Sequence, residues 1–385
     1  MQRDVTARSG GTIEVWDLGV RLFHWLLVGA VAGAGWTGFL GSKQTLDLHL
    51  VCGGLIAALL IWRLVWGGLG STYARFASFV GSPRSLVHHA GELLSGRAPA
   101  HVGHNPLGGV MVLALMATLM ALAATGLIVL GGAVKEGPLA PFVSLATGVS
   151  VRAFHELIAY GLLGLIGAHV VGVLVESWRT RESLIGAMLT GAKARRPDAV
   201  GAPVAAQARP GLAVVLAGGV TALGGAGIVG FSMRPALGVP SVPLTATYAR
   251  ECGACHTPHH PSLAPAAIWL RIVKGLDDHF GDNASLGPEI GAEIRAYLAA
   301  NAAERWDSPA ANLLRHPATT EPLRITATEG WRQIHRSVAE ATFAAKVVGG
   351  KVNCANCHED AASGRFAPRA IIIPSDPLAV RGTAS

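Results

Sequence analysis

The sequence predicts an all-α protein in two parts, a bundle of membrane helices followed by a smaller, mostly helical domain in water. Three observations carry this. Of 385 residues 51% are hydrophobic and only 14% are charged, whereas a soluble chain carries about a quarter charged residues. Long apolar runs recur from Leu22 to Phe231. Beyond Pro240 the runs shorten, charges and prolines return, and Ile290, Ile294, Tyr297 and Leu298 recur at helical spacing.

A membrane helix needs about 20 mostly apolar residues. The segments that qualify are Leu22–Leu40, Leu48–Trp66, Leu107–Gly131, Phe154–Val175 and Leu212–Phe231. The opening stretch MQRDVTARSGGTIEVWD is polar and has no cleavable signal pattern, so the first apolar run is expected to act as an uncleaved anchor. Residues 192–210, AKARRPDAVGAPVAAQARP, read as a flexible linker. The expected organisation is a transmembrane bundle over 1–191, a cytoplasmic linker and fifth helix over 192–240, and a soluble domain over 241–385.

The net charge of +7 is gathered in alternate loops. One set holds Arg3, Arg8 and Arg21, then Arg63, Arg75, Arg84 and Arg97, then Arg179, Arg181, Lys193, Arg195, Arg196 and Arg209. The other set holds only Lys43, Lys135 and Arg152. This asymmetry expects a cytoplasmic N-terminus and a tail on the outer, periplasmic side of a bacterial inner membrane. No stretch interleaves basic and aromatic residues, which argues against nucleic acid as a partner and leaves the bilayer.

Four of the five cysteines lie in CGACH at 252–256 and CANCH at 354–358. Cys-x-x-Cys-His is the attachment pattern of covalent c-type haem. Cys252, Cys255, Cys354 and Cys357 are therefore expected to form thioethers, with His256 and His358 as proximal ligands. Cys52, alone in an apolar run, reads as a small buried hydrophobe. No methionine follows Met233, which excludes Met/His ligation for the tail. The remaining histidines are His259, His260, His279, His316 and His335. His259 and His260 are too near His256 to reach its far face, though either can serve a neighbouring haem. His279 and His335 have enough slack, so bis-histidine ligation and low potentials are expected, with the assignment of each to one haem left open.

Ionisable side chains inside a membrane are costly and mark function. His24, His49, His155 and His169 lie in or at the edge of the spans. His155 and His169 share a helix face and stand about 21 Å apart along it. Alternating helix directions put His24 at the depth of His169 and His49 at the depth of His155. Two haem b groups stacked across one bilayer follow from that pairing. His88, His89, His101 and His104 lie outside the apolar runs and read as ordinary loop residues. Arg21, Arg152 and Arg179 are candidates to pair with haem propionates.

The stretches EVWDLGVRLFHW (14–25), RLVWGGLGSTYARF (63–76), GHNPLGG (103–109) and HELIAYGLLGLIGAHV (155–170) resemble the bacterial cytochrome b561 family, relatives of the b-type subunits of nickel–iron hydrogenases. The resemblance implies a four-helix dihaem bundle on His24, His49, His155 and His169, and electron exchange with membrane quinone. CGACHTPHHPSLAPAAIW, DDHFGDNASL, LRITATEGWRQIH and CANCHEDAASGRF resemble the dihaem cytochrome c proteins. That resemblance implies His279 and His335 as sixth ligands, and transfer to a periplasmic partner such as a small haem protein. Two haem b and two haem c are thus expected, with quinone as mobile substrate. The expected function is electron transfer from quinol through the b haems to the c haems and a soluble acceptor. The alternatives are a superoxide oxidase that reduces quinone and an anchor subunit wiring a separate dehydrogenase to quinone.

Overall fold

The computed structural model describes residues 11–41, 45–195, 199–200 and 205–374. Arg3, Arg8, Lys43 and Arg196, counted in the charge asymmetry, lie outside the described residues. The chain divides into two compact units, residues 1–127 with 151–229, and residues 128–150 with 230–385.

The first unit opens with strand β1 (Thr12–Glu14) and helices α1 (Leu18–Phe39) and α2 (Leu46–Leu69). Asp17 caps α1, accepting from the Val20 amide at 2.8 Å and from Trp66 Nε1 at 3.0 Å, which ties the start of α1 to the end of α2. The amphipathic helix α3 (Pro83–Leu94) follows, then α4 (Pro106–Val129) and α5 (Leu145–Thr180). Helix α6 (Leu184–Thr190) leads into strand β2 (Ala192–Ala194), which pairs antiparallel with β1. The first residues of the expected linker are therefore paired strand. Helix α7 (Pro210–Ser232) is the last apolar one.

Among the described residues, five helices are long and apolar enough to cross a membrane. Their outward faces are rich in exposed Leu, Val and Phe, as lipid contact requires. Ala30, Ile56, Leu60, Met116, Leu119 and Leu162 form the core shared by α1, α2, α4 and α5. Helix α5 runs 36 residues, roughly 54 Å, because the apolar window sets only the part in lipid and no proline stands between Leu145 and Thr180. Arg63, grouped above with the loop charges, lies inside α2 and is buried. It donates to the Ala74 carbonyl at 3.0 Å and sits over the Phe76 ring at 4.7 Å, because residues 72–78 fold back on the helix end.

The second unit begins with the end of α4, which widens into a π turn (Leu130–Val134) and stops at Lys135 in a left-handed conformation (φ 62°). It continues with α8 (Ala246–Cys252), α9 (Ala266–Lys274), α10 (Pro288–Ala300), α11 (Pro309–Leu314), α12 (Glu329–His335) and α13 (Glu340–Ala344). Tyr248, Ile268, Trp269, Ile294 and Leu298 form its core. Short helices and turns dominate, so this unit presents side chains from loops as often as from helices.

Candidate haem sites

In the first unit, α1, α2, α4 and α5 bring the expected histidines together at two levels. The rings of His49 (α2) and His155 (α5) lie 6.4 Å apart between centroids. His49 Nδ1 lies 3.0 Å from Thr37 Oγ1 and 3.1 Å from the Ala34 carbonyl. His155 Nδ1 lies 2.9 Å from Thr125 Oγ1. At the other end His24 (α1) and His169 (α5) are within electrostatic reach of each other, and the buried His24 Nδ1 has no hydrogen-bond partner among the described residues. The threonines escape a sequence reading that weighs titratable residues. The repeated Thr-Gly at 37–38 and 125–126, one near the end of each helix, is the signal that finds them.

The histidines read as loop residues are less ordinary than expected. His89 is buried on α3, 5.0 Å from His101. His104 is packed between Trp16 and Phe79, 4.7 Å from each. Burial, together with Arg63, Lys193 and His169, pushes the His104 ring down to about 3, so it is neutral at physiological pH. Of the propionate candidates, Arg179 pairs with Glu176 at 2.8 Å and donates to the Ala98 carbonyl, Arg21 donates to the Leu189 carbonyl, and Arg152 is exposed. Cys52 is half-buried, and its Sγ faces Gly33 of α1, where a Cβ would come within 2.9 Å.

In the second unit His256 follows α8 on a turn, and its Nδ1 is held by the Thr257 carbonyl at 2.8 Å. A carbonyl only accepts, so Nδ1 carries the proton and Nε2 the lone pair. The His279 ring lies 6.3 Å away at an interplanar angle of 25°. His335, at the end of α12, donates from Nδ1 to the Trp331 carbonyl at 2.9 Å and stacks on the Trp331 ring at 4.3 Å. It faces His358 at 6.1 Å. A cavity of about 580 Å³ adjoins His335, lined by Trp331, Phe343, Arg324, Arg332, Arg336 and Lys351 among others. Glu321 and Glu340 pair with Arg324 and Lys351 at 3.1 and 2.8 Å.

The doubled histidine divides cleanly. His260 is wholly buried, with Nδ1 bonded to Ser262 and Nε2 to the Val242 carbonyl. Both ring nitrogens are engaged, so it is a structural residue. His259 lies 5.1 Å from His256, and its Nδ1 is 3.9 Å from Cys354 Sγ. Burial, then His256 and His279, push its ring down to about 4. Burial also pushes the Cys252 and Cys354 thiols up to about 11.

Residues 15–191 match the family described as prokaryotic cytochrome b561, and residues 248–366 match the dihaem cytochrome c family. The chain belongs to both families. A probable Ni/Fe-hydrogenase B-type cytochrome subunit of Rhizobium leguminosarum bv. viciae is 24% identical over 212 residues, 47% of this chain and 88% of that protein. A diheme cytochrome type c from Shewanella baltica OS155 is 32% identical, covering 35% of this chain and 96% of its own, with a TM-score of 0.29. A diheme cytochrome c from Rhodobacter sphaeroides is 32% identical, covering 32% of this chain and 100% of its own, with a TM-score of 0.28. This fusion of cytochrome b561 with dihaem cytochrome c is a multi-pass membrane electron-transfer protein, and its families bring haem b and haem c.

The residues of the fusion fit those groups. Two imidazoles bonded to opposite sides of one iron, at about 2 Å each, hold their ring centroids about 6 Å apart. The spacings of 6.4, 6.3 and 6.1 Å meet that requirement, once in the cytochrome b561 part and twice in the dihaem part.

Proposed function

We propose that this protein passes electrons from membrane quinol to a soluble periplasmic acceptor such as a small cytochrome. The observation that carries the reading is the spacing of the histidine pairs in both parts of one chain. In this reading His24 with His169 and His49 with His155 hold two haem b groups at two depths. Cys252 and Cys255, and Cys354 and Cys357, hold two haem c groups covalently. The 6.3 Å spacing supports His279 as the partner of His256, and the 6.1 Å spacing supports His335 as the partner of His358.

The haems supply the one-electron redox change, and the chain fixes where it happens and at what potential. Two imidazoles per iron favour low potentials in the tail, where no methionine is available. The His24, His49, His155 and His169 rings are half-buried, on helices whose apolar faces meet in a shared core. The basic loops favour an inner-membrane location with the N-terminus in the cytoplasm and the dihaem part in the periplasm. Stopped-flow mixing of the purified protein with a short-chain quinol tests the reading. The b Soret band is expected to reduce first and the c band to follow; no reduction by quinol would overturn it.

A second reading draws on the hydrogenase relative. That protein's description as a hydrogenase subunit supports an anchor role, with electrons from a separate dehydrogenase arriving at the c haems and leaving to quinone. Reduction of the c band before the b band by a low-potential soluble donor, with quinone then reoxidising both, is its expected signature.

A further inference from the structure

We infer that Thr37 and Thr125 are a matched pair of positioning residues that fix the protonation and aim of His49 and His155. The inference rests on the reading of those histidines as the two ligands of one haem b. Each threonine hydroxyl donates one turn back along its own helix, Thr37 to the Gly33 carbonyl at 2.8 Å and Thr125 to the Ala121 carbonyl at 2.7 Å. A hydroxyl has a single proton, so toward the imidazole it accepts. The ring nitrogens at 3.0 and 2.9 Å are therefore the donors. The Ala34 carbonyl, 3.1 Å from His49 Nδ1, requires the same thing, since it can only accept. Both rings thus carry hydrogen on Nδ1 and keep the Nε2 lone pair for a metal.

The glycine after each threonine supports the assignment. A Cβ built on Gly38 would stand 3.4 Å from His49 Cε1, and one built on Gly126 would stand 3.4 Å from His155 Cε1. Thr-Gly is used twice in the same way. On α1 it seats the histidine of α2, and on α4 it seats the histidine of α5. The other histidine level lacks this device on at least one side, since His24 Nδ1 is buried with no partner among the described residues. A hydrogen bond donated from Nδ1 makes the ligand more basic. That favours the more positive iron and lowers the potential of this haem.

The test uses the full chain in detergent, with Thr37→Val, Thr125→Val and the double variant, nearly isosteric changes that delete the acceptor. Spectroelectrochemical titration is expected to show one b component moved to higher potential in each single variant and further in the double. Transfer of b haem to apomyoglobin is expected to quicken about tenfold. Thr125→Ser, which restores the hydroxyl, should return both readouts to the parent values. Thr125→Ala serves the same purpose if Thr125→Val assembles poorly. His49→Ala and His155→Ala are run beside them. If these remove one b component while the valine variants move no midpoint, the positioning role is overturned and the ligand reading stands. If both alanine variants keep the full b spectrum, the ligand reading fails, and the positioning role fails with it.

Discussion

The two units of this protein bring histidines face to face by different means. In the cytochrome b561 part the facing rings come from long helices, and their depth is set by the rise per residue. His49 and His155 meet because α2 and α5, two spans apart in the chain, run in the same direction and each carries its histidine near the start of its apolar stretch. In the dihaem part the rings come from turns and the ends of short helices, as with His256 after α8 and His335 at the end of α12. Helix register makes a pair predictable from topology. A loop-borne pair depends on the path of the chain between its members.

The largest test of this contrast is loss of a helix-borne ring. His155→Ala is expected to remove one whole haem b, lowering the pyridine haemochrome count from about four to about three per chain, because only axial bonds retain that haem. A loop-borne ring should behave differently. His335→Ala should keep its covalently attached haem yet open one iron to carbon monoxide, seen as a Soret shift. His279→Ala should do the same at the other c site, and a chain carrying both changes should bind two equivalents.

A smaller effect is expected at His260, which holds the second unit together without touching a ligand. His260→Ala leaves the Val242 carbonyl and the Ser262 amide without their ring partner. That should cost about 1–3 kcal/mol, read as a lower thermal midpoint with unchanged Soret bands. The smallest expected effect is on pH. Burial pushes the Asp307 carboxyl up, but the Leu145 amide at 2.7 Å, Lys135 at 2.9 Å and Asn312 outweigh it and hold it below the usual carboxylate range. A depressed folded-state value adds stability above the unfolded value and loses it as pH falls through the folded one. The thermal midpoint of the second unit should therefore decline below about pH 4, and less steeply in Asp307→Asn.

The apolar spans, the histidines in them and both Cys-x-x-Cys-His motifs were legible because each is a local pattern of period or spacing. Helix ends were less so, and α5 begins at Leu145, well before its apolar stretch. Arg63 and His89 sit in helices rather than loops, and His104 is a loop residue packed between two aromatic rings. Their burial comes from partners brought back from a distance, such as Ala74 and Phe76 over Arg63, and Trp16 and Phe79 around His104. The histidine partner of each CxxCH motif is a matter of chain path, and no sequence period encodes it. Thr37 and Thr125 were overlooked because threonine in an apolar helix is unremarkable until its hydroxyl is seen beside an imidazole.

The two attachment motifs are about a hundred residues apart in sequence but adjacent in space. The Thr257 amide donates to Asn353 at 3.3 Å, and His259 reaches Cys354. Charge added at one motif is therefore felt at the other through a partly buried neighbourhood, where screening by water and salt is weak. The first electron to arrive should make the second harder to accept. The c part should then titrate as a mutually repelling pair, its wave broader than that of two independent carriers even if their ligand sets are the same.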